Sequence, residues 1–161
     1  MPLNLKKLVG KLNETTRAAL EGGAALCVSR GHHQIEIEHY LARLMEVRKS
    51  DFGCICAHFQ IDTARLAVEL QLALGELAGG NTGSPAFSPS LVALLRDAWC
   101  VASLDFGAPK IRSGFTLLAL IDPDNRHELP AQLRKLNFAA VEADFDDIVR
   151  KSVEKEAPPR S

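Results

Sequence analysis

Apolar residues recur along this chain at helical spacing. Leu5, Leu8, Val9 and Leu12 stand at i, i+3, i+4 and i+7, one apolar face of a short helix over 3–12, and Lys6, Lys7 and Lys11 take the other face. Asn13, a good N-cap, predicts a second helix through Thr16, Ala19, Leu20, Ala24 and Cys27 to a stop at Gly31. A third is expected over 35–47, a fourth over 52–59 behind Ser50 or Asp51, and a fifth over 63–77 behind Asp62. The run Gly79-Gly80-Asn81-Thr82-Gly83-Ser84-Pro85 suits no regular element and reads as a mid-chain linker. Ser88-Pro89 is a strong helix start, because proline at the first helical position costs no hydrogen bond; that helix is expected to reach Leu104. Further helices are predicted over 113–121, 130–136 and 141–156, before a Pro-rich tail that reads as the start of an interdomain linker. No segment alternates with period two, so the fold class is all-α.

The two sides of the linker resemble each other. Leu12-Asn13 corresponds to Phe87-Ser88, 75 positions later, and Leu20 to Leu95. After a one-residue slip the offset becomes 76, matching Gly31 with Gly107, Ile35 with Ile111, Leu41 with Leu117 and Leu44 with Leu120. Such a repeat predicts a duplicated helical unit with one shared core. The expected division is an extra helix over 1–12, repeat one over 13–78, a linker over 79–87, repeat two over 88–156 and a linker start over 157–161.

Composition narrows the function. Of 161 residues, 47% are apolar and 24% charged, which excludes disorder of the whole chain. Nineteen basic against twenty acidic residues lack the basic surplus of a duplex DNA binder, and 6% aromatics argue against a base-stacking RNA sheet. No apolar run reaches the roughly 18 residues of a membrane span. Cys27, Cys54, Cys56 and Cys100 sit among apolar neighbours without a disulfide framework, so a reducing cytoplasm is expected.

Chemistry is sparse. The only Gly-Lys pair, Gly10-Lys11, is followed by Leu12 and lacks the upstream glycine of a P-loop. Cys54, Cys56 and His58, or His32, His33, Glu36 and His39, offer metal-ligand types. On a helix, however, residues two apart diverge by roughly 200°, so Cys54 and Cys56 cannot share one tetrahedral ion. All four cysteines are read as small buried hydrophobes, and His39 as a junction residue satisfying a backbone group or a carboxylate. Ser29, Ser50 and Ser113 fall at predicted helix ends, where capping explains them, and Asp144, Asp146 and Asp147 solvate a helix face. Neither a catalytic site nor a cofactor is expected in these residues.

The pattern Gly-His-x-x-Ile followed by Glu-His-x-Leu resembles the Clp N-terminal domain family. It reads here Gly31-His32-His33-Gln34-Ile35 and Glu38-His39-Tyr40-Leu41, echoed by Gly107-Ala108-Pro109-Lys110-Ile111 and Phe115-Thr116-Leu117. The second copy has Gly114-Phe115 in place of the Glu-His pair. The extra N-terminal helix and the stretch Asn13-Glu14-Thr15-Thr16-Arg17-Ala18-Ala19-Leu20-Glu21 are most similar to the ClpV (TssH) branch of type VI secretion. The resemblance covers residues 12–155. It implies a substrate-recruiting adaptor that binds an N-terminal helix of the contractile sheath subunit TssC (VipB), so that an AAA+ ring can recycle contracted sheaths. It also implies a bacterial cytoplasmic location, a homohexameric parent, and ATP and magnesium bound in modules beyond these residues. A general ClpB-type domain binding unfolded segments is the alternative.

Three roles are open to the first helix. A membrane-surface role is disfavoured by its length of about ten residues, by Gly10 and by the lack of an aromatic anchor. Its apolar edge can instead dock on the core, wall a groove, or do both. Phe87 reads either as a staple packing onto Leu91 or as part of an exposed apolar patch, and the ClpV likeness favours the patch. Thr15, Thr16, Ala19 and Gly23 form a small-residue stripe that suits a partner helix or tight internal packing equally. The expected groove therefore comprises Leu5, Leu8, Val9, Leu12, Thr15, Thr16, Ala19, Leu20, Gly23, Phe87 and Leu91, left facing outwards to take a helix by its i, i+3, i+4 and i+7 anchors. Anchors of about 1.5–3 kcal/mol each, less the cost of association and ordering, predict about micromolar affinity.

Overall fold

The structure, a computed structural model, describes residues 4–155. Side-chain caps set most of the helix starts. Asn4 caps α1 (Leu5–Gly10), Asn13 caps α2 (Glu14–Ser29), and Glu36 with His39 forms a reciprocal box on α3 (Ile37–Leu44). Ser50 caps α4 (Asp51–His58), Asp62 caps α5 (Thr63–Gly75), and Ser88 caps α6 (Pro89–Cys100), which has Pro89 at its first position. After α7 (Ser113–Ile121), Asn137 caps α8 (Phe138–Ala143), and α9 (Phe145–Ile148) follows at once. Each cap oxygen takes a backbone N–H that the first helical turn leaves without an intrahelical partner. The fold is all-α, with a single pair of two-residue strands among the described residues, β1 (Gln34–Ile35) and β2 (Ala86–Phe87), which run parallel.

Several boundaries differ from the sequence expectation. The third helix starts at Ile37 and ends at Leu44, because Ile35 is drawn into the strand pair and Glu36 becomes the cap. β2 lies inside the expected linker, whose Asn81 is tied back by its N–H to Gly31 O (2.8 Å) and by its side chain to His32 O (3.1 Å). The segment 130–136 holds only a 3-10 turn, Leu133–Lys135. The helix expected over 141–156 is broken into α8 and α9, followed by turns. Tertiary bonds displace the helix here: Val153 N donates to Lys49 O (2.8 Å), and the Glu154 carboxylate is turned inwards. Leu3, Glu156 and the Pro-rich tail lie outside the described residues.

The duplication is visible in the hydrogen bonds. Ile35 pairs with Phe87, and Ile111 forms a parallel bridge with Leu12. These pairs exchange under the sequence offset, since Leu12 corresponds to Phe87 and Ile35 to Ile111. The bonds that follow match as well: Ser88 N donates to Ile35 O and Asn13 N to Ile111 O, both at 3.0 Å. Each repeat thus clasps the start of the other. The extra residue of repeat two has a place too. α6 runs directly into a π-turn, Val101–Asp105, whose wider turn holds one more residue than an α-turn. In repeat one, His32 N reaches Cys27 O; in repeat two, Ala108 N reaches Ala102 O, one residue further along the chain. Gly31 (φ +68°) and Gly107 (φ +59°) end the two helices in the left-handed region, which costs glycine least.

The core lies around α7, all nine of whose residues are buried. Its own Phe115 clusters with Phe106 and Phe145, ring centroids 4.8–5.3 Å apart. α2 crosses α3 closely at Gly23, where a Cβ would stand 3.0 Å from the backbone of His39 and Tyr40. Cys27 and Cys56 are buried and Cys54 is half-buried, whereas Cys100 is exposed, against the expectation for all four. Cys100 ends α6 on the side away from the Leu91–Leu94–Leu95–Ala98 stripe that enters the core.

Candidate partner-helix site

α1 is held on the flank of α6. Its Leu8 side chain is buried, and Leu5 and Val9 pack half-buried against the core. The chain leaving α1 is laced to the strap ahead of α7: Lys110 Nζ donates to Gly10 O (3.1 Å), Ile111 N to Lys11 O (2.7 Å), and Asn13 N to Ile111 O. The Lys11 ammonium stands 5.1 Å from the centroid of the Trp99 ring, a cation–π distance. Lys6, Lys7, Lys11 and Lys110 are exposed, so the outer side of this corner is basic.

The eleven residues expected to line a groove separate by burial. Leu5, Val9, Thr15 and Phe87 are half-buried and available to a partner at their outer edges. Leu8, Leu12, Thr16, Ala19, Leu20, Gly23 and Leu91 are buried, which corrects the expectation that they face outwards. The cause is that each helix spends these positions on its own fold. Leu8 lies on the side of α1 turned to the core, Leu12 is buried just after α1 where it bridges Ile111, and Leu91 opens the inner stripe of α6. The small stripe Thr16–Ala19–Gly23 lets α2 approach α3, so its size serves internal packing. With Ser88 as cap, the fourth position of α6 is Val92, which is half-buried, so a staple from Phe87 would use Val92 rather than Leu91. The positions that remain partly exposed are Leu5 and Val9 on α1, Thr15 at the start of α2, and Phe87 ahead of α6. A cleft of about 620 Å3 lies elsewhere, lined by Met45, Arg48, Phe52 and Ile61, and contains none of the eleven.

Two polar groups close the neighbouring core. His39 Nδ1 accepts from Glu36 N (2.9 Å), which leaves its proton on Nε2 to be donated to His32 Nδ1 at 2.8 Å. Burial, with the nearby His32 and Arg30, lowers the His39 pKa to about 4. The Asp51 carboxylate is fully buried and takes a two-pronged ion pair from Arg112 (2.7 and 2.8 Å). Beside it Glu154 accepts from Asp51 N, Ser113 N, Ser113 Oγ, Asn13 Nδ2 and Thr16 Oγ1. Sequence reading missed both carboxylates, taking Asp51 as an alternative cap to Ser50 and leaving Glu154 without a role inside the helix expected over 141–156. Only their partners, up to 141 positions away, reveal them. Among the described residues no group of three His, Cys, Asp or Glu is arranged to hold a metal ion, and no helix is long and apolar enough to cross a membrane.

Residues 11–132 match the Clp repeat N-terminal domain. The chain is 32% identical over 151 residues to the AAA+ ATPase ClpV1 of Pseudomonas aeruginosa, covering 91% of this chain and 17% of that protein. It is 30% identical over 158 residues to the chaperone protein ClpB of Yersinia enterocolitica, covering 96% of this chain and 18% of that protein. The chain thus spans under a fifth of the length of these curated relatives. A solved ClpV N-domain in complex with a VipB peptide superposes with a TM-score of 0.81 at 30% identity, over 96% of this chain and 97% of that one.

Proposed function

The chain belongs to the Clp repeat N-terminal domain family, and from that membership we propose that it recruits a type VI secretion sheath subunit to an AAA+ unfoldase. The ligand is an N-terminal amphipathic helix of TssC (VipB). The observation that carries this reading is the match over nearly the whole chain to a ClpV N-domain in complex with a VipB peptide. The domain binds rather than hydrolyses; ATP and magnesium belong to ring modules of a homohexameric parent working in the bacterial cytoplasm. Six such domains would raise avidity for a polymeric sheath.

The surface that fits this role runs from Leu5 and Val9 across Thr15 to Phe87, backed by the buried Leu8, Leu12, Thr16, Ala19, Leu20, Gly23 and Leu91. The buried set gives the surface rigidity, and the half-buried edges give the contact. Exposed Lys6, Lys7 and Lys11 on the rim would steer an acidic-flanked helix by long-range attraction. Calorimetric titration with a TssC N-terminal peptide tests the proposal. Saturable one-to-one binding at about micromolar affinity is expected. Indifference between that peptide and a denatured, carboxymethylated protein would instead support a general ClpB-type role.

A further inference from the structure

We propose that Glu154 is a positioning residue for this helix-binding surface: acting from the C-terminal segment, its carboxylate fixes the corner between α1 and α2. The inference rests on the reading above. Glu154 is 6% exposed, and its two oxygens meet donors from three helix starts. Oε1 accepts from Asn13 Nδ2 (3.0 Å), Thr16 Oγ1 (3.4 Å) and Ser113 N (2.8 Å); Oε2 accepts from Asp51 N (2.6 Å) and Ser113 Oγ. Asn13 and Thr16 open α2, Asp51 opens α4 and Ser113 opens α7.

The geometry gives this acid a task that no local cap performs. The residue ahead of α7, Arg112, makes no side-chain cap bond, although the helix is buried along its whole length. Its first N–H groups therefore need acceptors from elsewhere; Glu154 takes Ser113 N, and Asp51 Oδ2 takes Gly114 N (3.3 Å). The same carboxylate oxygen that holds Ser113 also holds the Asn13 side chain. Leu12–Asn13 and Ile111–Ser113, the two strips of backbone that bracket each other at the α1–α2 corner, are thus pinned at one atom. α1 carries Leu5 and Val9 outward from that corner, so the corner sets where they stand. The segment bearing Glu154 is itself anchored, with Val153 N on Lys49 O and Glu154 N on Ser152 Oγ (3.0 Å).

Two variants test this. Glu154→Gln presents an amide N–H2 to donors and is expected to lower the melting temperature as well. Asn13→Ser is the cleaner probe, since serine keeps an N-cap oxygen for α2 and removes the amide N–H2 that Asn13 extends to Glu154. With the TssC N-terminal peptide as ligand, below the melting transition, folded Asn13→Ser is expected to bind about fivefold more weakly than wild type. Amide exchange is expected to quicken at Leu12 and Asn13 and to stay unchanged in α5. A purely structural Glu154 would lower the melting temperature and leave the dissociation constant alone. Unchanged affinity in folded Asn13→Ser, with wild type binding normally, overturns the inference. If wild type itself fails to bind, the functional reading fails, and exchange at Leu12 and Asn13 still decides whether Glu154 holds the corner.

Discussion

Tyr40 and Thr116 occupy the same position in the two repeats, 76 residues apart, and their hydroxyls meet at 2.8 Å inside the core. Thr116 Oγ1 donates to Ser113 O at 2.6 Å, so the phenol is the donor to Thr116. Burial raises the Tyr40 pKa, which keeps the phenol protonated. The junction of the repeats therefore carries a directional polar bond between α3 and α7.

Tyr40→Phe should cost about 1 kcal/mol, the net worth of one buried neutral hydrogen bond. Thr116→Val should also destabilise. The double variant should cost less than the sum of the two by about 1 kcal/mol if the hydroxyls act on each other. Urea denaturation of the four proteins measures this cycle, and strict additivity would show that the pair contributes nothing jointly.

Glycines at two positions should respond with opposite signs. At Gly23 a methyl group would press on the backbone of α3, so Gly23→Ala should destabilise by about 1–3 kcal/mol through overpacking. At Gly10, the last residue of α1, nothing lies within 4 Å of a built Cβ. Gly10→Ala should therefore stabilise, by at most about 1 kcal/mol, through helix propensity. Thermal melts of both proteins check the contrast; a neutral Gly23→Ala would mean that the α2–α3 crossing can relax.

Acid should weaken the fold through His39. Its pKa falls from the ordinary 6.5 to about 4 in the folded protein, so the unfolded chain binds the extra proton first. The contribution is present in full above pH 6.5 and is lost as the pH falls from 6.5 to about 4. His39→Asn keeps a small amide near Glu36 N and removes the titration. Its stability should change less across that window than that of wild type, and parallel profiles would assign acid sensitivity to other groups.

What the sequence revealed and what it hid divide by range. Asn13, Ser50, Asp62 and Ser88 are legible as caps because a cap binds an N–H about three residues away. The duplication was legible because apolar positions repeat, and its one-residue slip marks the π-turn after Cys100. Strands of two residues leave no alternation to read. Which stripe of α2 faces inward is decided by α3, and α2 carries two plausible stripes, so Thr16, Ala19, Leu20 and Gly23, four of the seven buried residues, were assigned to an outward face. Glu154 is the extreme case, a charge in a polar C-terminal stretch whose partners lie 41 to 141 positions away.

Phe87 now separates two parts of one residue. Its backbone pairs with Ile35 in the strand clasp, a bond independent of side chain, and its ring is half-buried against the core. Phe87→Arg leaves the clasp available, because arginine can adopt an extended backbone and its long stem can lie over the apolar surface with the charge in water. A partner helix would then meet a guanidinium where it needs a desolvated ring, and peptide affinity should fall by about 2 kcal/mol or more, the range of an interface hot spot. The melting temperature should drop modestly, since only part of the ring is core. Titration and thermal melting on the same sample distinguish the outcomes. Lost binding with a folded protein places Phe87 on the partner surface. Unfolding makes the ring chiefly a core or staple element, and unchanged binding in a stable variant would move the site away from the start of α6.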